Sequence, residues 1–229
     1  MRLLKILIAF LPLVLAACAS KPPVIEFKPI HGVTFDTLQG SVNISLTSPQ
    51  GKIGGNGMLF FQRPDSFRIS ILAPFGQSLF DIIGSGDRLL CLSEGKKRVW
   101  QGAMVDLPEG FGAGIWPLLR WVVEPPHPAG AALERRFTRA DGTVEQVSYN
   151  SSGFVLKKQH SSGDRVSYGD YRIIDGIAVP MEIEISTGSS VSLKLVLDEP
   201  EVNRPVDPVI FTPSLEGYEI QPIASFRGF

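Results

Sequence analysis

The chain has few of the residues that most enzyme chemistry uses. Three histidines and two cysteines occur among its 229 residues, and neither type is clustered. His31, His127 and His160 fall in a linker, a proline-rich connector and a strand-like segment. None has a partner at the spacing that puts two imidazoles on one helix face for a metal. There is no Gly-x-Ser-x-Gly nucleophile turn. Gly51-Lys52-Ile53-Gly54-Gly55-Asn56-Gly57 holds a lysine among glycines. It lacks the order of a phosphate loop and lies between strand patterns, so it reads as a hairpin or bulge. Glu182 and Glu184 alternate with Met181, Ile183 and Ile185, which turns both carboxylates to the solvent face of one strand. These absences argue against an enzyme, and no cofactor or metal is expected.

Charge of one sign is also missing. Lys plus Arg number 22 and Asp plus Glu 23, for a net charge of −1, and no long basic run occurs. Nucleic acid is therefore not an expected partner. Beyond residue 18 no apolar run approaches the roughly 20 residues that cross a bilayer.

The start of the chain is the most telling part. Arg2 and Lys5 precede an apolar run, Ile6 to Leu15, broken only by Pro12, and Leu15-Ala16-Ala17-Cys18 closes it. A basic start, a short apolar core and small residues before a cut describe a secretory signal peptide, residues 1–17. The cysteine directly after Leu-Ala-Ala resembles the lipobox of bacterial lipoproteins, which implies acylation of Cys18. Each buried methylene contributes about 0.8 kcal/mol, so several chains make a firm anchor. Ala19 and Ser20 follow, without the aspartate that retains such proteins at the inner membrane, so the resemblance implies the periplasmic face of the outer membrane. Residues 18–32, with Pro22, Pro23 and Pro29, read as anchor and extended spacer. With Cys18 committed to lipid, Cys91 has no partner for a disulfide. In Arg88-Leu89-Leu90-Cys91-Leu92 it reads as a small buried hydrophobe.

Residues 33–199 read as one domain of strands. Val42, Ile44 and Leu46 alternate with polar residues, and so do Phe67, Ile69 and Ile71, and later Val191, Leu193, Leu195 and Leu197. Short turns such as Arg63-Pro64-Asp65, Glu94-Gly95-Lys96, Asp141-Gly142 and Asp175-Gly176 join them, which makes neighbours antiparallel. Ten or eleven strands in a meander exceed a flat sheet and predict a strongly bent sheet or barrel. Leu107 to Val123 carries Phe111, Ile115, Trp116, Leu119 and Trp121 at spacings of three and four, which predicts a helix over part of it, with Pro117 in a first turn. Val33 to Leu38 is a second, shorter helix candidate. Residues 200–229 are Pro-rich and aperiodic, a surface coil pinned by Phe211 or Tyr218. Inward-facing apolar residues either fill a core or line a cavity, and the pattern leaves both open.

Phe67-Arg68-Ile69-Ser70-Ile71-Leu72-Ala73-Pro74-Phe75-Gly76-Gln77-Ser78-Leu79-Phe80-Asp81-Ile82 resembles the LolB family of outer-membrane lipoprotein receptors. Gly95 to Trp100, Trp116 to Val123 and Tyr168 to Glu184 are similar to further parts of that family. The resemblance implies a mainly β fold, an incomplete, half-open antiparallel β-barrel with a short helical lid. It makes Pro74, Phe75 and Gly76 the membrane-insertion loop, with Phe75 where the family carries a leucine. Phe111, Ile115, Trp116, Leu119 and Trp121 become lid and acyl-cavity candidates. The implied partners are acylated lipoproteins, a LolA-like periplasmic carrier and outer-membrane lipid. The alternative is a structural or (glyco)lipid-carrying envelope lipoprotein of the same fold. For Phe75, an outward wedge and a ring folded back onto the core both stay open.

Overall fold

The computed structural model describes residues 34–49, 51–108, 114–124, 132–188 and 190–227. Six strands come first: β1 Thr37–Ser48, β2 Gly51–Gln62, β3 Ser66–Leu72, β4 Ser78–Ser85, β5 Arg88–Ser93 and β6 Arg98–Ala103. Helix α1, Ile115–Val123, follows. Then come β7 Glu134–Thr138, β8 Val144–Tyr149, β9 Val155–His160, β10 Arg165–Ile174, β11 Ile177–Ser186, β12 Ser192–Val202 and β13 Glu219–Pro222.

All thirteen strands form one sheet, ordered β13-β6-β5-β4-β3-β2-β1-β12-β11-β10-β9-β8-β7. Two antiparallel meanders thus run outward from the central β1–β12 pair, and β7 and β13 remain as edges. The sheet does not close into a barrel, as the half-open expectation requires. Alternation puts Val42, Ile44, Leu59, Phe67, Ile69, Ile82 and Cys91 on the inner face with Val147, Val166, Met181, Ile183, Leu193 and Leu195, and all are buried. A residue-by-residue register with this period fixes which face every side chain takes.

Three expectations change. The glycine stretch is no hairpin: Gly51 to Gln62 is one strand paired with β1 throughout. A Cβ at Gly57 would stand 1.9 Å from Ser70 O, so β2 approaches β3 at a distance only glycine allows. The short helix over Val33 to Leu38 is also overturned, because β1 has begun by Thr37 and Leu38 points into the core. The tail is not a surface coil. It bonds outside the sheet at Arg68 Nη1 to Ile210 O, 3.1 Å, and adds β13 parallel to β6. It then folds Ile223 and Phe226 into the core. Tyr218 does act as a pin, through its hydroxyl to Glu94. A four-residue edge strand containing Pro222 has no alternation to betray it, and proline is tolerated at such an edge.

Candidate functional site

Helix α1 lies on the inner face. Its nine residues, Ile-Trp-Pro-Leu-Leu-Arg-Trp-Val-Val, bury Ile115, Trp116, Leu119 and Trp121, while Pro117 and Arg120 face outward. Pro117 is the third residue, where no intrahelical N–H is needed. Trp116 stacks on Phe67 of β3, with centroids 6.4 Å apart and planes 15° apart. At the other end the Trp121 ring stacks on His160 of β9 at 3.8 Å. The helix therefore bridges the two meanders across the groove of the sheet.

Its two ends are held differently. Gly114 at the N-cap supplies no side-chain cap. At the C-terminus, four carbonyls without intrahelical partners are all satisfied by side chains. Lys158 Nζ donates to Trp121 O at 2.9 Å and Glu124 O at 3.2 Å. Tyr168 donates its hydroxyl to Val122 O at 3.0 Å, and Arg63 Nη2 donates to Val123 O at 2.8 Å. Two cations at a helix C-terminus also complement the helix dipole. Around them, Trp121 Nε1 donates to Glu145 Oε1 at 2.8 Å. Arg139 grips Glu124 through two 2.9 Å bonds and reaches Glu145 at 3.4 Å.

Glu145 and Lys158 are each only 3 % exposed. Burial pushes Lys158 down to about 8, against the pull of Glu145 and Glu124. Burial pushes Glu124 up, but the bonds and charge of Arg139 leave it below the ordinary glutamate value. Burial also drives Tyr168 well above its usual value. These groups are engaged with each other and with the helix carbonyls. His160 Nε2 is buried without a hydrogen-bond partner among the described residues. No group of three or more His, Cys, Asp and Glu side chains among the described residues is placed to hold a metal.

The β3–β4 turn presents the opposite chemistry. Gly76 N bonds Ala73 O at 2.9 Å and Ala73 N bonds Gln77 O at 2.8 Å. Proline at the second position suits this turn, and Gly76 takes the left-handed φ of 82° that closes it. Phe75 between them is 95 % exposed, so its ring stands in solvent and does not fold back. Leu79, half exposed, is nearby on β4.

Residues 37–199 match the family model described as outer membrane lipoprotein LolB. The chain belongs to the LolB family. No curated protein matches it. Among solved structures, a LolA superfamily protein of Nitrosomonas europaea is 13 % identical, over 81 % of this chain and 94 % of that one, with a TM-score of 0.48. A putative outer membrane lipoprotein-sorting protein domain of Vibrio parahaemolyticus is 9 % identical, over 77 % and 89 %, at 0.48. A DUF1329 family protein of Desulfovibrio piger is 7 % identical, over 78 % and 90 %, at 0.52, and shares the fold.

Of the site residues that the LolB resemblance nominated, Ile115, Trp116, Leu119 and Trp121 come together under α1. Pro74, Phe75 and Gly76 stand apart on their turn. Cys18 and Phe111 lie outside the described residues, as do His31 and His127. Sequence reasoning passed over Arg63, Arg139, Glu145, Lys158 and Tyr168. For Glu145 the usable signal was parity, since it shares its phase with the inward Val147 and Tyr149 of β8. Lys158 stands three residues from the buried Val155, out of phase with it, so β9 gives no such signal.

Proposed function

We propose that this protein takes an acylated lipoprotein from a LolA-like periplasmic carrier and inserts it into the outer membrane, to which acylated Cys18 anchors it at the periplasmic face. The observation that carries this reading is a nine-residue helix covering the apolar inner face of a sheet that does not close. An acyl chain of sixteen carbons carries on the order of 12 kcal/mol of transfer free energy at ~0.8 per methylene. Four buried apolar side chains of α1 contribute about 8–12 kcal/mol at ~2–3 each. Exchange of α1 for one chain is then nearly balanced, which lets a carrier both load and release. Phe75 supplies the membrane contact, since an exposed aromatic is favoured at the bilayer interface. No bond is made or broken in this activity.

Depletion of the protein should leave acylated lipoproteins stalled in the periplasm. The Phe75→Glu variant should fold and accept cargo yet fail to deliver it to vesicles of outer-membrane lipid. Unchanged outer-membrane lipoprotein levels on depletion would refute the reading.

A further inference from the structure

The part of the chain beyond the family match, residues 200–227, places a second apolar element in the groove. β13 pairs in parallel with β6, Glu219 to Arg98 through Pro222 to Gln101, and is clamped by Arg98–Glu219 at 2.8 Å. The 3-10 turn Ile223–Ser225 then carries the chain over the rim onto the inner face. Ile223 and Phe226 are almost wholly buried there. The Phe226 ring meets Trp100 of β6 at 5.3 Å and Phe80 of β4 at 5.9 Å. A seat is cut for Ile223: a Cβ on Gly102 would lie 2.4 Å from its Cγ2. The same inner face, on the next strand, β3, is covered by Trp116 of α1 on Phe67. The tail thus covers β4 to β6 much as α1 covers its own stretch of the groove.

We infer that residues 219–227 are a built-in occupant of the acyl groove: Ile223 and Phe226 fill the β4–β6 part of the inner face, confine cargo chains to the part beneath α1, and so set how many chains the protein holds. The inference rests on the acyl-carrier reading. Phe226 presents its ring to Phe80 and Trp100, and Ile223 its side chain to Gly102, the surface that an acyl chain would otherwise take. This cover is tied to the sheet edge by a strand pairing and an ion pair, whereas α1 is held by side-chain hydrogen bonds at its C-terminal end.

The test uses the mature protein and a lipopeptide whose palmitoyl chains carry a diazirine, with adducts mapped by peptide mass spectrometry. Two variants unseat the tail by different routes: truncation after Tyr218, and Gly102→Val, whose side chain takes the Ile223 seat and displaces the tail that follows it. In the wild type, adducts should fall on α1 and inner residues such as Tyr168 and Met181, and not on Phe80, Trp100 or Met104. In both variants the β4–β6 residues should be labelled as well, and native mass spectrometry should count about one more bound chain. Equal labelling of Trp100 in wild type and variants would overturn the inference. So would unlabelled β4–β6 in a folded variant whose α1 side is labelled. If no form is labelled on its inner face, the acyl-carrier reading itself fails and takes this inference with it.

Discussion

Lys158 makes the fixed end of α1 measurable. Its ammonium is buried under the helix and bonds two carbonyls, Trp121 O and Glu124 O. The charges facing it are Glu145 of β8, Glu124 and Arg139 beside the helix end, and Arg63 after β2. In the unfolded chain the amine keeps its proton to about pH 10.5, whereas burial in the fold lowers that to about 8. Between these values the unfolded state binds more protons, so raising the pH favours the fold. A pKa near 8 against one near 10.5 corresponds to about 2 kcal/mol of added stability between pH 7 and 9.5, at ~1.4 per unit. The assay is urea unfolding of wild type and Lys158→Met at pH 7, 8.5 and 9.5. The variant should lack this gain, so the difference between the two proteins should change by about 2 kcal/mol over that range. Parallel pH profiles would show that the amine is hydrated in the native state, and the reasoning about a dry polar anchor under α1 would fall.

Two further outcomes bear on the packing. Trp116→Ala removes the indole stacked on Phe67 and should lower stability by about 3–5 kcal/mol in urea unfolding; a loss below ~1 kcal/mol would mean that α1 does not hold its inner-face position. Burial pushes the Cys91 thiol up to about 12, so at pH 8 a disulfide reagent should label it only on unfolding, and rapid labelling of native protein would contradict the core position.

The sheet was legible because its face pattern repeats strand after strand. Val42, Ile44 and Leu46 must be buried together once one of them is, and tight turns leave antiparallel pairing as the only short connection. The helix was legible through Trp116, Leu119 and Pro117 for the same local reason. What escaped depends on non-local pairing. Lys158, three residues from the buried Val155 and so out of phase with it, looks like an ordinary solvent charge until the end of α1, 37 residues away in sequence at Trp121, lands on it. Ile223 and Phe226 acquire meaning only through Gly102, whose missing side chain is no signal until the tail is seen lying on it. In both cases the local pattern is silent because the stabilising partner is remote in sequence.

The placement of Phe75 constrains the spacer that joins the domain to the proposed anchor. Thr37 pairs with Gln62, and Gln62 with Ser66, the first residue of β3. β3 then runs seven residues away from that level before the Pro74–Gly76 turn. At ~3.4 Å per residue, and with the turn added, Phe75 stands about 30 Å from the end of the domain where the chain enters β1. On the proposed reading, an anchor at Cys18 and a membrane contact at Phe75 approach one bilayer from opposite ends of the sheet. Residues 18–33 can reach at most ~54 Å when extended, enough to pass the length of the domain. Deleting residues 22–31 leaves a reach of about 20 Å, too short for Phe75 to touch the membrane that holds Cys18. The shortened protein should be acylated and folded but defective in delivery, and a Gly/Ser replacement of the same ten residues should restore it. Full delivery by the deletion variant would mean that Phe75 does not act on the anchoring membrane.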